Sequence, residues 1–307
     1  MPQDLTLSLG KSVLGGTRQV ERLLVRTGQG IRLASYLLSN RRPWRPGYAE
    51  FKARTLKRVL ENPSMLELFR GGGELPAGYG ARLDARVVEI PWALSRLAPG
   101  RATLLDAGSS LNYDHILSAP ALEGRVITIL TLAPEPRCYW ERGISYIYGD
   151  LRHTLFREAA FDEVTCISTA EHIGMDNAMY MKTDVGSDAP DEGGYLEAVA
   201  ELRRITAPGG RLFMTVPFGR YENHGWFQQF NASMLDSAVE AFAPKRYSET
   251  IFEYGATGWR KSTRESCADC SFFDVHASRY FDPMSKVDFP PDFPAGERAV
   301  ACLEMWR

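Results

Sequence analysis

From Thr103 onward, short apolar runs alternate with stretches whose apolar residues recur at helical spacing. That rhythm is the signature of a mostly parallel sheet with helices on its faces. The runs at 102–107, 126–132, 144–148, 163–168 and 211–217 predict five strands. Helices are predicted over 84–97, with Pro91 in its middle, and over 195–205 and 232–242. Pro208-Gly209-Gly210 stops the second of these and turns the chain into strand five. Two last runs, 247–254 and 299–306, have only a loop-rich stretch between them, so they are expected to pair antiparallel.

The first 80 residues follow a different pattern and read as a basic helical extension, with 81–307 as the sheet domain. In the first 60 residues, twelve lysines and arginines face only Asp4, Glu21 and Glu50. Between Val20 and Leu38 apolar residues (Val20, Leu23, Leu24, Ile31, Ala34, Leu37, Leu38) recur at near-helical spacing with arginines between them. This predicts an amphipathic helix interrupted near Gly28 and Gly30. Two readings stand: a helix on an anionic membrane surface or another subunit, and a cap whose apolar stripe faces its own domain. A second helix is predicted over 48–60, stopped by Asn62-Pro63, and a shorter one over 64–69.

Composition narrows the class. The 307 residues are 44% hydrophobic and 24% charged, with a formal net charge of -2, which gives no case for nucleic-acid binding. No apolar run approaches the roughly 20 residues that span a bilayer, and the first residues lack the order of a secretory signal. The expected location is cytoplasmic, with peripheral contact at the inner membrane surface through the basic extension. Five scattered cysteines do not form a disulfide framework. Cys166 and Cys302 lie in apolar runs and are expected in the core. Cys267-Ala-Asp-Cys270 has knuckle spacing, but no second pair completes it and His276 is at most a third ligand. The pair reads as incidental loop thiols, and no metal is expected.

The chemistry concentrates in four segments. Leu104-Leu105-Asp106-Ala107-Gly108-Ser109-Ser110 is a strand that runs into a glycine-containing loop after an acid, the way α/β folds open a nucleotide-sized site at the carboxyl edge. Ile144–His153 is a strand ending Gly149-Asp150-Leu151-Arg152. Phe161–Gly174 contains Ser168-Thr169-Ala170-Glu171-His172, and Glu201–Gly219 joins a helix, the Pro-Gly-Gly turn and a strand. In this order they resemble the class I S-adenosylmethionine-dependent methyltransferases over residues 84–307. The resemblance implies a doubly wound, Rossmann-like, mostly parallel seven-stranded sheet with a reversed seventh strand, and S-adenosylmethionine as cofactor.

Carried over residue by residue, Gly108 and Ser109 would lie against the methionine part, and Asp106 would orient the loop or accept from the cofactor's ammonium. Asp150 and the Leu151 N–H would read the adenine, and Ser168 and Thr169 would sit beside the reactive methyl. The chain departs from the pattern twice. Ser110 stands where a second glycine is usual, and strand two ends in Thr131 and Leu132 rather than an acid that grips the ribose. Either Thr131 makes one weaker bond or Glu135 curls back. Each lost charge-assisted bond is worth about 1.5–3 kcal/mol.

For a hydroxyl acceptor, methyl transfer needs alignment and a base. His172 is the candidate base, with Glu171 as its orienting neighbour and His224 as the alternate; the competing role for His172 is structural. Asp176 and Asn177 either bind substrate or cap a helix. Tyr221, His224 and Trp226 either hold a sugar or small-molecule acceptor or form a packed lid. Three other functions compete: an NAD-linked dehydrogenase, disfavoured because Gly-x-Gly-x-x-Gly is absent; a non-catalytic binding or assembly protein keeping the fold; and a membrane-surface adaptor.

Overall fold

The computed structural model describes residues 27–71, 73–178, 191–275 and 290–307. They fall into two compact units that meet between Arg54 and Thr55. In the first, residues 27–38 form helix α1 and α2 (Tyr48–Leu60) begins. α1 runs unbroken through Gly28 and Gly30, contrary to the expected interruption. A helix tolerates glycine at about 1 kcal/mol per position. Tyr36 anchors this unit, its ring 6.1 Å from Tyr48 and 5.6 Å from Phe51. The buried positions of α1 are Leu33 and Tyr36, whereas Ile31, Ala34, Leu37 and Leu38 of the expected stripe are exposed. Val20 to Leu24 lie outside the described residues.

The second unit carries α3 (Pro63–Gly71), α4 (Arg86–Arg96), α5 (Asp114–Leu117), α6 (Gly194–Ile205), α7 (Ala232–Phe242) and α8 (Arg264–Cys267). Its strands are β1 (Thr103–Ala107), β2 (Val126–Thr131), β3 (Ser145–Tyr148), β4 (Phe161–Ile167) and β5 (Thr206–Pro217). A small two-stranded ladder, β6 (Glu222–Asn223) with β7 (Gln228–Gln229), precedes β8 (Arg246–Gly255), β9 (Gly258–Ser262) and β10 (Ala299–Trp306). The main sheet has the order β3-β2-β1-β4-β5-β10-β8-β9. The first five strands are parallel; β10 is antiparallel to β5 and β8, and β9 is antiparallel to β8.

The expected parallel core and antiparallel closing pair are therefore present, with eight strands rather than seven. The extra strand, β9, returns from β8 through a two-residue turn at Ala256-Thr257, and Gly255 pairs with Gly258. Its five residues alternate too briefly to stand out in the sequence. A second difference concerns Pro208-Gly209-Gly210. α6 already ends at Ile205, and β5 begins at Thr206. The three residues form a bulge instead, in which β4 advances two positions while β5 advances five.

Strand alternation divides the core. Leu105, Val164, Cys166, Leu212, Met214, Val216, Ala301 and Leu303 face α6 and α7 in one apolar cluster. The opposite face packs on α4, where fully buried Trp92 meets Phe213 edge-on at 6.1 Å. This second face also buries charge: Glu89, Asp106, Glu163 and Glu304 are all under 9% exposed. α4 spans the sheet, with Arg86 and Glu89 near the carboxyl ends of β4 and β5 and Arg96 at the other edge, paired with Glu304.

Candidate functional site

Asp106 closes β1 and is completely buried. Its Oδ2 accepts the Leu111 amide at 2.8 Å and its Oδ1 the Thr165 hydroxyl at 3.3 Å, so it folds the following loop back on the strand. Burial pushes its carboxyl up to about 7. Gly108 has φ +107, and a Cβ there would lie 2.0 Å from Thr169 Oγ1. The glycine is thus required by the β4 loop crossing over it as well as by its backbone conformation. Ser109 follows with φ +64, and its buried Oγ has no hydrogen-bond partner. Ser110, in the place of the usual glycine, donates to the Ile167 carbonyl at 2.6 Å and ties the β1 and β4 loops together.

Asn112 links this loop to the end of β2. Its amide donates to Glu135 at 3.0 Å and to the Arg137 carbonyl at 3.1 Å, and its oxygen accepts from Tyr146. Glu135, three residues beyond Leu132, is therefore held against the β1 loop, while Thr131 ends β2 half-buried. Asp150 lies past β3, and Arg152 occupies both of its oxygens through its amide and three guanidinium contacts of 2.7–3.2 Å. Leu151 is buried beside it.

At the ends of β4 and β5 the surroundings turn acidic and aromatic. Ser168 (φ +39) donates to Glu89 Oε1 at 2.6 Å, and Thr215 donates to the same oxygen at 2.7 Å. Arg86 reaches Glu89 Oε2 at 3.1 Å and the Ile167 and Ser168 carbonyls. Burial holds the Glu171 carboxyl well above its usual range and that of Glu297 up to about 7. Oε2 of each is buried without a hydrogen-bond partner.

His172 donates from Nδ1 to the Trp226 carbonyl at 2.9 Å; a carbonyl can only accept, so the neutral ring keeps its lone pair on Nε2. Nε2 lies 3.9 Å from Glu171 Oε1. Burial lowers the ring's pKa to about 4. The imidazole stacks on Trp226 at 5.2 Å and 29°. His224 stacks almost flat on Phe227 at 4.5 Å, with Phe272 at 5.2 Å, and its buried Nε2 lies 3.3 Å from Glu222 Oε2 without forming a hydrogen bond.

The structure thus brings Glu171, His172, His224 and Trp226 together, and separately assembles Asp106, Gly108, Ser109 and Glu135. Asp176 and Asn177 shape the loop: Asp176 accepts the Ala178 amide and takes the Gly225 carbonyl with its own amide, while Asn177 donates to the His172 and Met175 carbonyls. Tyr221 is 37% exposed at the rim. Sequence reasoning missed Arg86, Glu89, Glu297, Phe227, Phe272 and the linking role of Asn112. Of these only Glu89 carried a usable signal, as a lone acid within an apolar helix.

No family model and no curated protein matches the chain. Among solved structures it is similar to 1,6-didemethyltoxoflavin-N1-methyltransferase of Burkholderia thailandensis with bound 1,6-didemethyltoxoflavin and S-adenosylhomocysteine. That match has 16% identity, covers 83% of this chain and 88% of the other, and has a TM-score of 0.42. A SAM-dependent methyltransferase of Archaeoglobus fulgidus matches at 11% identity over 73% and 96% of the two chains, with a TM-score of 0.44. The cyclase SpnF matches at 16% identity over 70% and 78%, with a TM-score of 0.41. The sheet itself, five parallel strands followed by a reversed strand, has the arrangement that the sequence resemblance implies.

Proposed function

We propose that the chain is an S-adenosylmethionine-dependent methyltransferase acting on a hydroxyl of a glycan or small molecule. The observation that carries this reading is that the β1 loop and the His172–Trp226 cluster lie at the same carboxyl edge of a mostly parallel sheet, where such folds bind ligands.

The β1 loop suits the cofactor. Gly108 supplies positive φ, Ser109 Oγ is a buried hydroxyl in want of a partner, and Asn112 holds the Glu135 carboxylate where a ribose hydroxyl can be met. Asp150 would have to yield one of its Arg152 contacts to accept from an adenine amino group. Bound there, the cofactor supplies an activated methyl on its sulfonium. The chain's part is orientation and proton removal. Trp226 offers an aromatic face to a sugar or ring, and His172, neutral above about pH 4, takes the hydroxyl proton at Nε2.

Calorimetric titration with S-adenosylmethionine and with its demethylated product is expected to give heat; silence with both up to millimolar ligand rejects the reading. His172→Ala should lower turnover far more than cofactor affinity, and equal losses would assign the ring a structural role.

The basic extension supports a reading of where the protein works. Among the described residues no helix is long and apolar enough to cross a membrane. α1 nevertheless exposes Ile31 (66%) and Leu38 (88%), in a region dominated by basic residues, which suits an anionic lipid surface. Deleting residues 1–40 should release the protein from anionic vesicles in sedimentation, and unchanged sedimentation would reject this.

A further inference from the structure

Cys267 ends α8, and the Cys270 amide donates to the Cys267 carbonyl at 3.0 Å. A turn closed this way holds its first and fourth Cα atoms within about 7 Å, close to the roughly 4.4–6.8 Å that a disulfide spans. Both thiols are free; Cys267 is buried and Cys270 half-buried. They differ chemically. The hydrogen bond from Cys270 pulls the Cys267 thiol below its ordinary pKa, and the same contact pushes Cys270 above it. The two therefore act as a pair that loses its first proton readily and its second with difficulty.

The pair is built into the wall of the candidate acceptor site. The Cys270 carbonyl accepts from the Arg220 amide at 2.9 Å and from Gln229 Nε2 at 2.9 Å, pinning both ends of the loop that carries His224 and Trp226. Gly219 packs so closely on this carbonyl that a Cβ would lie 2.1 Å from its oxygen. Two residues on, the Phe272 amide donates to Glu222 at 3.3 Å, and its ring meets Phe227 at 4.7 Å.

We propose that Cys267 and Cys270 form a reversible disulfide whose closure displaces the Cys270 carbonyl and loosens the 218–229 loop. The oxidant is a hydroperoxide. The half-exposed Cys270 sulfur passes its proton to the hydrogen-bonded Cys267 thiolate as it attacks the outer peroxide oxygen. The O–O bond breaks, and the leaving alkoxide (or hydroxide) takes up the proton Cys267 had first released, so that an alcohol (or water) departs and Cys270 becomes a sulfenic acid. The Cys267 sulfur then attacks the Cys270 sulfur, the S–S bond forms, and the departing hydroxide takes up the Cys267 proton as water. Two thiols and one hydroperoxide thus give one disulfide, one water and one alcohol, and a small thiol reductant returns the two electrons. Drawing the sulfurs to about 2.05 Å turns the Cys270 peptide, and the close packing at Gly219 leaves that carbonyl no room to move without moving the loop.

The test uses the full chain, reduced and then exposed to stoichiometric hydrogen peroxide. Alkylation and peptide mass analysis should show Cys267 and Cys270 lost together with two hydrogens removed from their joint peptide. The Arg220 amide should exchange with solvent about tenfold faster, as expected when a local anchor opens. A thiol reductant should reverse both changes. Cys267→Ser should keep the slow exchange of the reduced protein and lose its response to peroxide. Thiols that stay reduced while Cys138 is oxidised overturn the proposal; so does a disulfide that leaves Arg220 exchange unchanged. Neither readout involves methyl transfer, so its failure is independent of the enzymatic reading.

Discussion

One helix, α4, touches two charged regions that are wired in opposite ways. At the amino edge of the sheet the buried carboxylates Glu163 and Glu304 are both answered. Glu163 accepts from Arg125, from Arg211 and from the Ala98 amide, and Glu304 lies between Arg96 and Arg211. At the carboxyl edge, Glu89, Glu171, Glu297 and Asp84 all share the field of Arg86, and buried oxygens on Ser109, Glu171 and Glu297 have no hydrogen-bond partner. A protein that satisfies its charges on one side and leaves them wanting on the other is stabilised at the first and available for binding at the second.

Breaking the satisfied side should have the largest effect. Glu163→Gln leaves two buried guanidiniums under-compensated, and urea unfolding should show a loss of about 3–5 kcal/mol. Next comes the joint between the β1 and β4 loops. Gly108→Ala forces a Cβ into Thr169 at positive φ and should destabilise by about 2–4 kcal/mol from overpacking and backbone strain together. Adding Thr169→Ala removes Oγ1 and Cγ2 but keeps the Cβ 2.7 Å away, so it should recover only part of the packing loss and none of the strain.

On the unsatisfied side the sign reverses. The Glu297 carboxyl is raised from 4.5 to about 7, so the folded chain binds more protons than the unfolded one between those values, and its contribution to stability falls as pH rises through that window. Glu297→Gln mimics the neutral form and should stabilise the protein at pH 8 by about 1–3 kcal/mol, a gain that fades toward pH 5. A loss at pH 8 would show that the carboxylate is compensated after all.

The smallest effect is spectroscopic. The His172 ring should titrate by NMR near pH 4. Because its folded pKa lies below the usual 6.5, its contribution to stability rises with pH between those values, opposing the carboxyls. Titration near 6.5 would mean that the ring is solvated and the cluster open.

What could be read from the sequence followed from local rules. The parallel strands announced themselves because each is an apolar run bounded by turn residues, and Asp106-Ala107-Gly108 showed its loop because acid and glycine sit side by side. His172 and Trp226 were each visible as chemistry, but their stacking was not, since 54 positions separate them. The acid cluster was hidden for the same reason: Glu89, Glu171 and Glu297 come from three distant segments, and spacing carries no record of such a meeting. β9 escaped because Trp259 and Lys261 alternate over too short a run. Glu135 was a guess between two possibilities, and its placement depends on Asn112, a contact no periodicity encodes.

The order of the strands has a consequence for how the chain acquires its shape. Among the described strands β10 comes after all the others in the chain, yet it lies between β5 and β8 and pairs with both along nearly its whole length. Until residues 299–306 exist, β5 has no neighbour on that side and the β8–β9 hairpin has no sheet to join. A chain stalled before Ala299 would display two open strand edges at once, the kind of surface that recruits other chains. Closure of this sheet is therefore a long-range event that follows synthesis of all its other strands, and the nascent sheet is most exposed to misassociation just before β10 arrives.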